Sequence, residues 1–358
     1  MRLYDSSTFH ELLHACPQHP TVQFFAPLMQ HGVQHYIKNA VTSLYLLEYR
    51  GMLLPLTVNE DEYENSYIVS NYYPISSRCE RYAHHPTLRN RALYGMTYIA
   101  GWGLKALQVN RSIVINNWLL ASLPCSELSA ADMQKITGFL SEHFPLHWLI
   151  VRSVKEDDLP ALQESQYITF KVRDFFCYDP LKKDQLSPRA RYHRKKDRAL
   201  QTRYQVLKQC PWTPQDYHDC LKLYQQVYIQ KHTKYSPEYT AEFLQHAVAT
   251  GIMEFTILQQ EGKTVGFYTS WVYENHMHVP LLGYDLQHPD AQHIYHLIMT
   301  LTLEEAEQKG TWLNSGEGGT MTKQLRGLQS VAEYAAIYGH HLPWMRRSIW
   351  HVASYLTH

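Results

Sequence analysis

In the second half of the chain, apolar positions either alternate or recur at spacings of three and four. Residues 204–209 alternate and predict a strand. Thr213, Pro214 and Asp216 then make a helix start: a capping hydroxyl, a first-turn proline and an acid at the third position. Behind them Tyr217, Cys220, Leu221, Tyr224, Val227 and Tyr228 share one helical face. Ser236, Pro237 and Glu238 predict a second helix start, with Tyr239, Phe243, Leu244 and Val248 on its apolar side and Gly251 at its left-handed end. Strands are expected over 254–258 and 264–273, around a turn at Glu261-Gly262, and over 276–284 after a turn at Glu274-Asn275. A long helix over about 292–309 carries Ile294, Leu297, Ile298 and Leu301 at helical spacing and stops at Gly310. A short strand over 311–314, a glycine turn, a short helix over 322–325 and a last strand near 331–338 follow.

The first half repeats this grammar. Residues 42–49 and 52–58 predict a hairpin around Arg50-Gly51, and 67–73 a third strand. A helix around 89–107 and a strand over 112–117 follow. A tail of strand 148–151, helix 159–165 and strand 168–172 closes the half. The two halves read as a structural repeat without close sequence identity; the alternative is one irregular α/β domain.

Composition narrows the class. At 358 residues two domains are expected, and 45% hydrophobic with 18% charged residues suits folded globules. A formal net charge of zero argues against wholesale coating of nucleic acid and leaves room for a local basic patch. The first residues, with His10, Asp5 and Glu11, do not read as a signal peptide. Apolar runs such as 44–47 and 119–123 are far shorter than a bilayer span. A soluble cytoplasmic protein with no membrane partner is the expectation. Cys16, Cys79, Cys125, Cys177, Cys210 and Cys220 form no C-x-x-C pair, so single reduced thiols are expected. The 22 histidines include the pairs His84-His85 and His340-His341 but no H-E-x-x-H, and no metal site is expected.

The composition shifts near 179–198, the candidate boundary between domains 1–178 and 179–358. Arg191, Arg194, Lys195 and Arg198 fall at helical spacing there. Such a face repels itself unless an anion is near, and phosphate of a nucleotide, coenzyme A or RNA is the natural partner. A solvated linker helix is the alternative. Farther on, Gly316-Glu317-Gly318-Gly319 is followed by Lys323, Arg326 and Gly327. Glycines let backbone approach a ligand, a helix start offers free N–H groups, and Lys323 and Arg326 can meet an anion. The alternative is a tight turn before a basic surface helix.

The element order resembles the GNAT acyltransferase fold. The segment containing Ser187, Arg191, Tyr192, Lys195 and Lys196, together with the glycine turn, resembles tandem GNAT-like transferases of the FemABX type. The resemblance implies an α/β (α+β mixed-sheet) fold of two tandem GNAT-like domains, the first degenerate and the second carrying the cleft. It implies a sheet opening between strands 276–284 and 311–314. FemABX-type enzymes add amino acids from aminoacyl-tRNA to cell-wall precursors. The expected activity is therefore transfer of an acyl or aminoacyl group onto a small-molecule or peptide amine, with acyl-CoA or aminoacyl-tRNA as donor. The alternative is an inactive GNAT-like module that binds RNA or a metabolite. One departure stands out: where acetyl-CoA-using relatives carry a glycine-rich pyrophosphate loop, residues 285–293 contain no glycine.

The expected site follows. His278, Pro280, Leu282 and Tyr284 share one strand face by alternation. Tyr284 could protonate a leaving group, and Asp285 or Glu317 could deprotonate an amine. Gly318, Gly319, Lys323 and Arg326 are the donor-binding candidates. His278, Arg191 and Arg194, with Asn117 and Arg152 at strand ends of the first half, are the substrate-binding candidates.

Overall fold

The computed structural model describes residues 1–83, 87–121, 128–208, 211–347 and 350. Cys125, Cys210, Gln209, His84 and His85 lie outside the described residues. The chain packs as two units. Unit 1 takes Met1–Val172, Tyr235–Glu238 and the stretch from Glu333 onward; unit 2 takes Arg173–Lys234 and Tyr239–Ala332.

Unit 1 begins with β1 (Arg2–Tyr4), α1 (Phe9–Ala15), α2 (Pro20–His31) and α3 (Val33–Tyr36). The hairpin β2 (Ser43–Tyr49) and β3 (Met52–Asn59) follows. Its two-residue turn has positive φ at both Arg50 and Gly51, which matches the twist of the flanking strands. Next come α4 (Tyr73–Ala83), α5 (Leu88–Ala106), β4 (Ser112–Ile115), α6 (Ala130–His143), β5 (Trp148–Val154), α7 (Leu159–Glu164) and β6 (Ile168–Tyr178). Strands β1 to β4 pair antiparallel in order, and β4 pairs parallel with β5 from Ser112↔Trp148 to Ile115↔Val151. Leu47, Leu54, Leu56, Ile113 and Ile115 bury their side chains against Ile136 and Leu140 of α6.

Unit 2 takes over at Arg173, partway along β6. It holds α8 (Pro188–Leu200), β7 (Gln205–Lys208), α9 (Pro214–Tyr224), α10 (Ala241–Ala249), β8 (Glu254–Gln260) and β9 (Lys263–Tyr273). Then come β10 (His276–His278), β11 (Leu282–Tyr284), α11 (Ala291–Lys309), β12 (Trp312–Asn314), α12 (Thr320–Gln324) and β13 (Gln329–Tyr338). The predicted start of α9 is present as a capping box between Thr213 and Asp216. Strands β7 to β10 pair antiparallel, β10 pairs parallel with β12, and β12 pairs antiparallel with the end of β6. Helix α11 is buried along Ile294, Leu297, Ile298 and Leu301 against Tyr268 and Leu282. Gly310 closes it in the left-handed conformation.

Each unit therefore repeats one scheme: an edge strand, an antiparallel hairpin, a fourth strand, then a fifth strand parallel to the fourth. The sixth neighbour differs in origin. In unit 1 it is supplied from the C-terminal stretch, where Tyr334–Tyr338 pair with β5. The sequence boundary at 178/179 did not anticipate that return. Among the described residues no helix is long and apolar enough to cross a membrane.

One expected element is absent and one helix starts later than expected. Residues 67–72 form a turn leading into α4, which Tyr73 begins; no strand forms over 67–73. Side chains fix that turn: the Asn110 carboxamide oxygen accepts from Ser70 Oγ and Asn71 N, and Asn117 Nδ2 donates to Ile68 O. Ser236, Pro237 and Glu238 do not start a helix. Asn39 takes the Glu238 N–H and donates to Ser236 O within unit 1, while Thr240 caps α10 through Phe243 N.

Candidate functional site

The sheet of unit 2 forks where strand four was expected to be continuous. Pairing between β10 and β12 runs from His276↔Trp312 to His278↔Asn314. On its other edge β12 pairs with β6 at Leu313 and Asn314, and β11 pairs with β9. Between β10 and β11 the chain spends four steps, from His278 to Leu282, against three on β9, from Trp271 to Tyr268. Residues 279–281 are thus a bulge beside Pro280, held by Thr269: its N–H and Oγ1 meet Leu281 O and N.

The extra residue reverses the faces. His278 lies on the face of Trp271, with ring centroids 5.6 Å apart, whereas Leu282 and Tyr284 lie on the face of Tyr268, toward α11. The expected common face of His278 and Tyr284 is corrected accordingly. The bulge also orients the backbone. Leu281 and Asp285 bond to β9 at Thr269 and Val265, so by antiparallel alternation Gly283 completes that ladder. The N–H and C=O groups of Leu282 and Tyr284 then point away from β9. Among the described residues no strand pairs with β11 on that side. Gly283 is required on the other face, where a Cβ would sit 2.6 Å from Tyr224 N.

Tyr284 is half-buried, and burial raises its hydroxyl above the usual tyrosine range. Its ring lies 5.4 Å from that of Tyr295, whose hydroxyl abuts Gly319 so closely that a Cβ there would overlap it. Burial, with Tyr284 beside it, pushes Tyr295 up to about 12. Tyr295 was not singled out in the sequence. It sits between the apolar positions Ile294 and Leu297 and reads there as helix surface.

The glycine turn is built around Lys323. Gly316, Gly318 and Gly319 all have positive φ. Lys323 Nζ, buried, donates to the carbonyls of Ser315, Gly316 and Glu317 at 2.7, 3.0 and 3.0 Å. Three ammonium protons meet three carbonyls. Burial pushes Lys323 down to about 7, against the pull of the Glu317 carboxylate. Arg326, 1% exposed, donates from Nε to Asp197 of α8 at 2.7 Å and from Nη1 to Thr322 O. Both side chains are turned inward onto protein partners, where the sequence suggested an anion site. Helix α12 spans only Thr320–Gln324 and adds no long helix start. Glu317 itself is exposed, 3.5 Å from Arg173.

Helix α8 forms as predicted, capped by Ser187. Two residues of its basic face are neutralised from within the unit. Arg194 bonds to Glu307 at 2.8 Å and lies over the Tyr178 ring, and Arg198 bonds to Glu304 at 2.5 Å. Asp197 is buried with Arg326, near Thr300 and His296. Burial, with Arg326 adding to it, pushes His296 down to about 4, so its ring is neutral at pH 7. The anion inferred for Arg194 is therefore a carboxylate of α11. Arg191, Lys195 and Lys196 remain exposed, beside an exposed Tyr192.

The segment before α11 is closed by its own side chains. Asp285 Oδ1 accepts from Gln287 N, and Gln226, from a π-helical turn after α9, accepts from Leu286 N. Asp290 caps the start of α11 without a side-chain bond to it and is held by Arg203 and by His293 at 3.0 Å. The bond from His293, with Arg203 nearby, holds the Asp290 carboxyl below the usual range. Two carboxylates at this helix start disfavour a pyrophosphate there.

Unit 1 has the equivalent fork, where β4 stops at Ile115 while β5 continues to Val154. Asn117, fully buried, donates to Thr57 Oγ1 and Ile68 O and accepts from Leu119 N. Arg152 Nη1 donates to the same Ile68 carbonyl at 2.7 Å. The structure brings Asn117 and Arg152 together, on backbone they hold in place. Ile115, Asn116, Val151 and Arg152 line a cavity there of about 30 Å³, room for one water. Among the described residues no group of three or more His, Cys, Asp or Glu could hold a metal ion.

A forked mixed sheet with a long helix between its fourth and fifth strands is the arrangement of a GNAT-like fold, present here in tandem. Residues 187–320, in the second half of the chain, match the family described as acetyltransferase (GNAT) domain. FemX is similar over 88% of this chain and 91% of its own, with 8% identity and a TM-score of 0.51. L-PGS from Bacillus licheniformis is similar over 69% of this chain and 82% of its own, with 14% identity and a TM-score of 0.50. At these identities the likeness is one of fold. No curated protein matches the chain in sequence.

Proposed function

We propose that unit 2 is an N-acyltransferase that moves an acyl or aminoacyl group from an activated carrier onto an amine. The observation that carries this is the fork: unpaired backbone of Leu282 and Tyr284 beside a half-buried tyrosine and the loop over Gly318 and Gly319. An extended acyl donor can complete the ladder that β11 leaves open. In the proposed reaction the amine nitrogen attacks the donor carbonyl carbon. A C–N bond forms, and the carrier's C–O or C–S bond breaks. Asp285 or Glu317 takes the amine proton, and the Tyr284 hydroxyl protonates the leaving oxygen or sulfur.

Between acyl-CoA and aminoacyl-tRNA as donor, the geometry favours the tRNA ester. The start of α11 lacks glycines and carries Asp285 and Asp290, which oppose coenzyme A pyrophosphate. Arg191, Lys195 and Lys196 leave cations on α8 for a nucleic-acid backbone. The fold likeness to FemX and L-PGS supports the same choice. The acceptor is a small molecule or peptide with a free amine, and a cytoplasmic location fits a tRNA donor.

The test offers purified protein a mixture of charged tRNAs or of acyl-CoAs, with primary amines, and reads products by mass spectrometry. Amide product from charged tRNA, with none from acyl-CoA, is expected. Tyr284→Phe should lower the rate about 100-fold or more. No product from either donor contradicts the proposal. The inactive binding module is then favoured if RNA binding survives Asp285→Asn and Glu317→Gln but is lost in Arg191→Glu/Lys195→Glu.

A further inference from the structure

Helices α4 and α5 stand out in unit 1. Helix α5 packs one narrow face, where Gly101 is buried against Tyr72 and Ile75 and leaves no room for a Cβ. Between Arg91 and Lys105 most of its remaining surface is apolar and open. Tyr94, Met96 and Tyr98 are exposed, and Ile99 and Trp102 are 73% and 71% exposed. Residues 92–104 contain no charged side chain, over a helical length of about 20 Å. Most soluble surfaces do not leave so continuous an apolar strip uncovered.

Charge frames the strip. Arg78 and Arg81 lie on α4, Arg89 and Arg91 precede the uncharged run, and Lys105 follows it; all five are exposed. Glu80 is the one acid between Tyr73 and Leu107, in a chain whose formal net charge is zero. An isologous contact with a second copy would set this basic frame against itself. An anionic lipid surface meets both features: phosphates for the arginines, and the headgroup boundary for tyrosine, tryptophan and isoleucine.

We propose that α5, flanked by α4, docks the protein on an anionic membrane surface, lying in the headgroup plane without crossing it. This departs from the expectation of no membrane partner, which weighed only runs long enough to span. It stands independently of the transferase reading. A surface helix needs an apolar face and basic flanks, not a span.

The test is co-sedimentation of the full chain with extruded vesicles. One set is phosphatidylcholine; the other is an equal mixture of phosphatidylcholine and phosphatidylglycerol. Binding to the mixed vesicles at least tenfold above the neutral ones is expected, weakening as salt rises. Ile99→Glu/Trp102→Glu should abolish it, and Arg89→Ser/Arg91→Ser should reduce it about tenfold or more. All four positions are exposed, and circular dichroism melts are to check folding of each variant. Should the double glutamate variant misfold, Ile99→Ser/Trp102→Ser replaces it. Trp102 emission should shift to the blue with mixed vesicles, a shift missing from Trp102→Phe. Equal binding to both vesicle sets, or none to either, overturns the proposal. So does a concentration-dependent dimer in sedimentation velocity that Trp102→Glu dissolves, which would assign the face to a second copy.

Discussion

The two units share one sheet scheme and differ at the fork. In unit 1 Asn117, just after β4, and Arg152 of β5 both donate to the Ile68 carbonyl, so the turn before α4 plugs the fork. In unit 2 a bulge at 279–281 swings β11 away from β12, leaving backbone groups of Leu282 and Tyr284 without a partner strand. The same topology thus gives a plugged opening and an open one. The difference lies in where polar side chains go. Unit 1 spends them on its own carbonyls at the fork. Unit 2 turns Lys323 onto the carbonyls of residues 315–317 and Arg326 onto Asp197 and Thr322 O, so neither side chain caps β11.

Variants can break that comparison. The largest effect is expected at the buried Asp197–Arg326 pair, where Asp197→Asn or Arg326→Met should cost about 3–5 kcal/mol in denaturant unfolding. The double change Asp197→Leu/Arg326→Met should recover much of it, because no lone charge is left behind. Lys323→Met strands three carbonyls and should cost about 2–3 kcal/mol. Lys323 also sets a pH dependence. Its folded value of about 7 lies below that of an unfolded lysine, so above pH 7 the unfolded chain binds more protons. Stability should rise with pH from about 7 to 10, by at most about 1.4 kcal/mol per unit. Lys323→Met should flatten that slope.

In unit 1, Asn117→Ala should cost about 1–2 kcal/mol yet leave acyl transfer unchanged per folded molecule. A loss of transfer equal to that of Tyr284→Phe would place chemistry in the plugged fork and reverse the comparison. The smallest effect is expected at Arg198→Ala, below about 0.5 kcal/mol, since its bond to Glu304 is largely exposed.

Much of the scaffold was legible because local rules govern it. The capping box at Thr213, the stop at Gly310 and the spacing of Ile294, Leu297, Ile298 and Leu301 each depend on near neighbours. The site was less legible. A one-residue bulge cannot be counted from alternation, so His278 was assigned the face of Tyr284. Arg194, Lys323 and Arg326 looked like anion ligands because their acceptors, Glu307, the 315–317 carbonyls and Asp197, come from distant positions or from backbone. Only folding reveals those partners. A signal for Asp197 was nevertheless present: one acid inside a run of basic residues is the natural partner of a buried arginine.

Amide hydrogen exchange across residues 281–285 tests the central claim most directly. Without ligand, the Leu282 and Tyr284 amides should exchange quickly while Gly283 and Asp285 exchange slowly. An aminoacyl donor analogue should slow Leu282 and Tyr284 at least tenfold and leave residues 115–117 unchanged. Slow exchange at all four positions before any ligand is added would mean that the sheet is closed there, and would contradict the account.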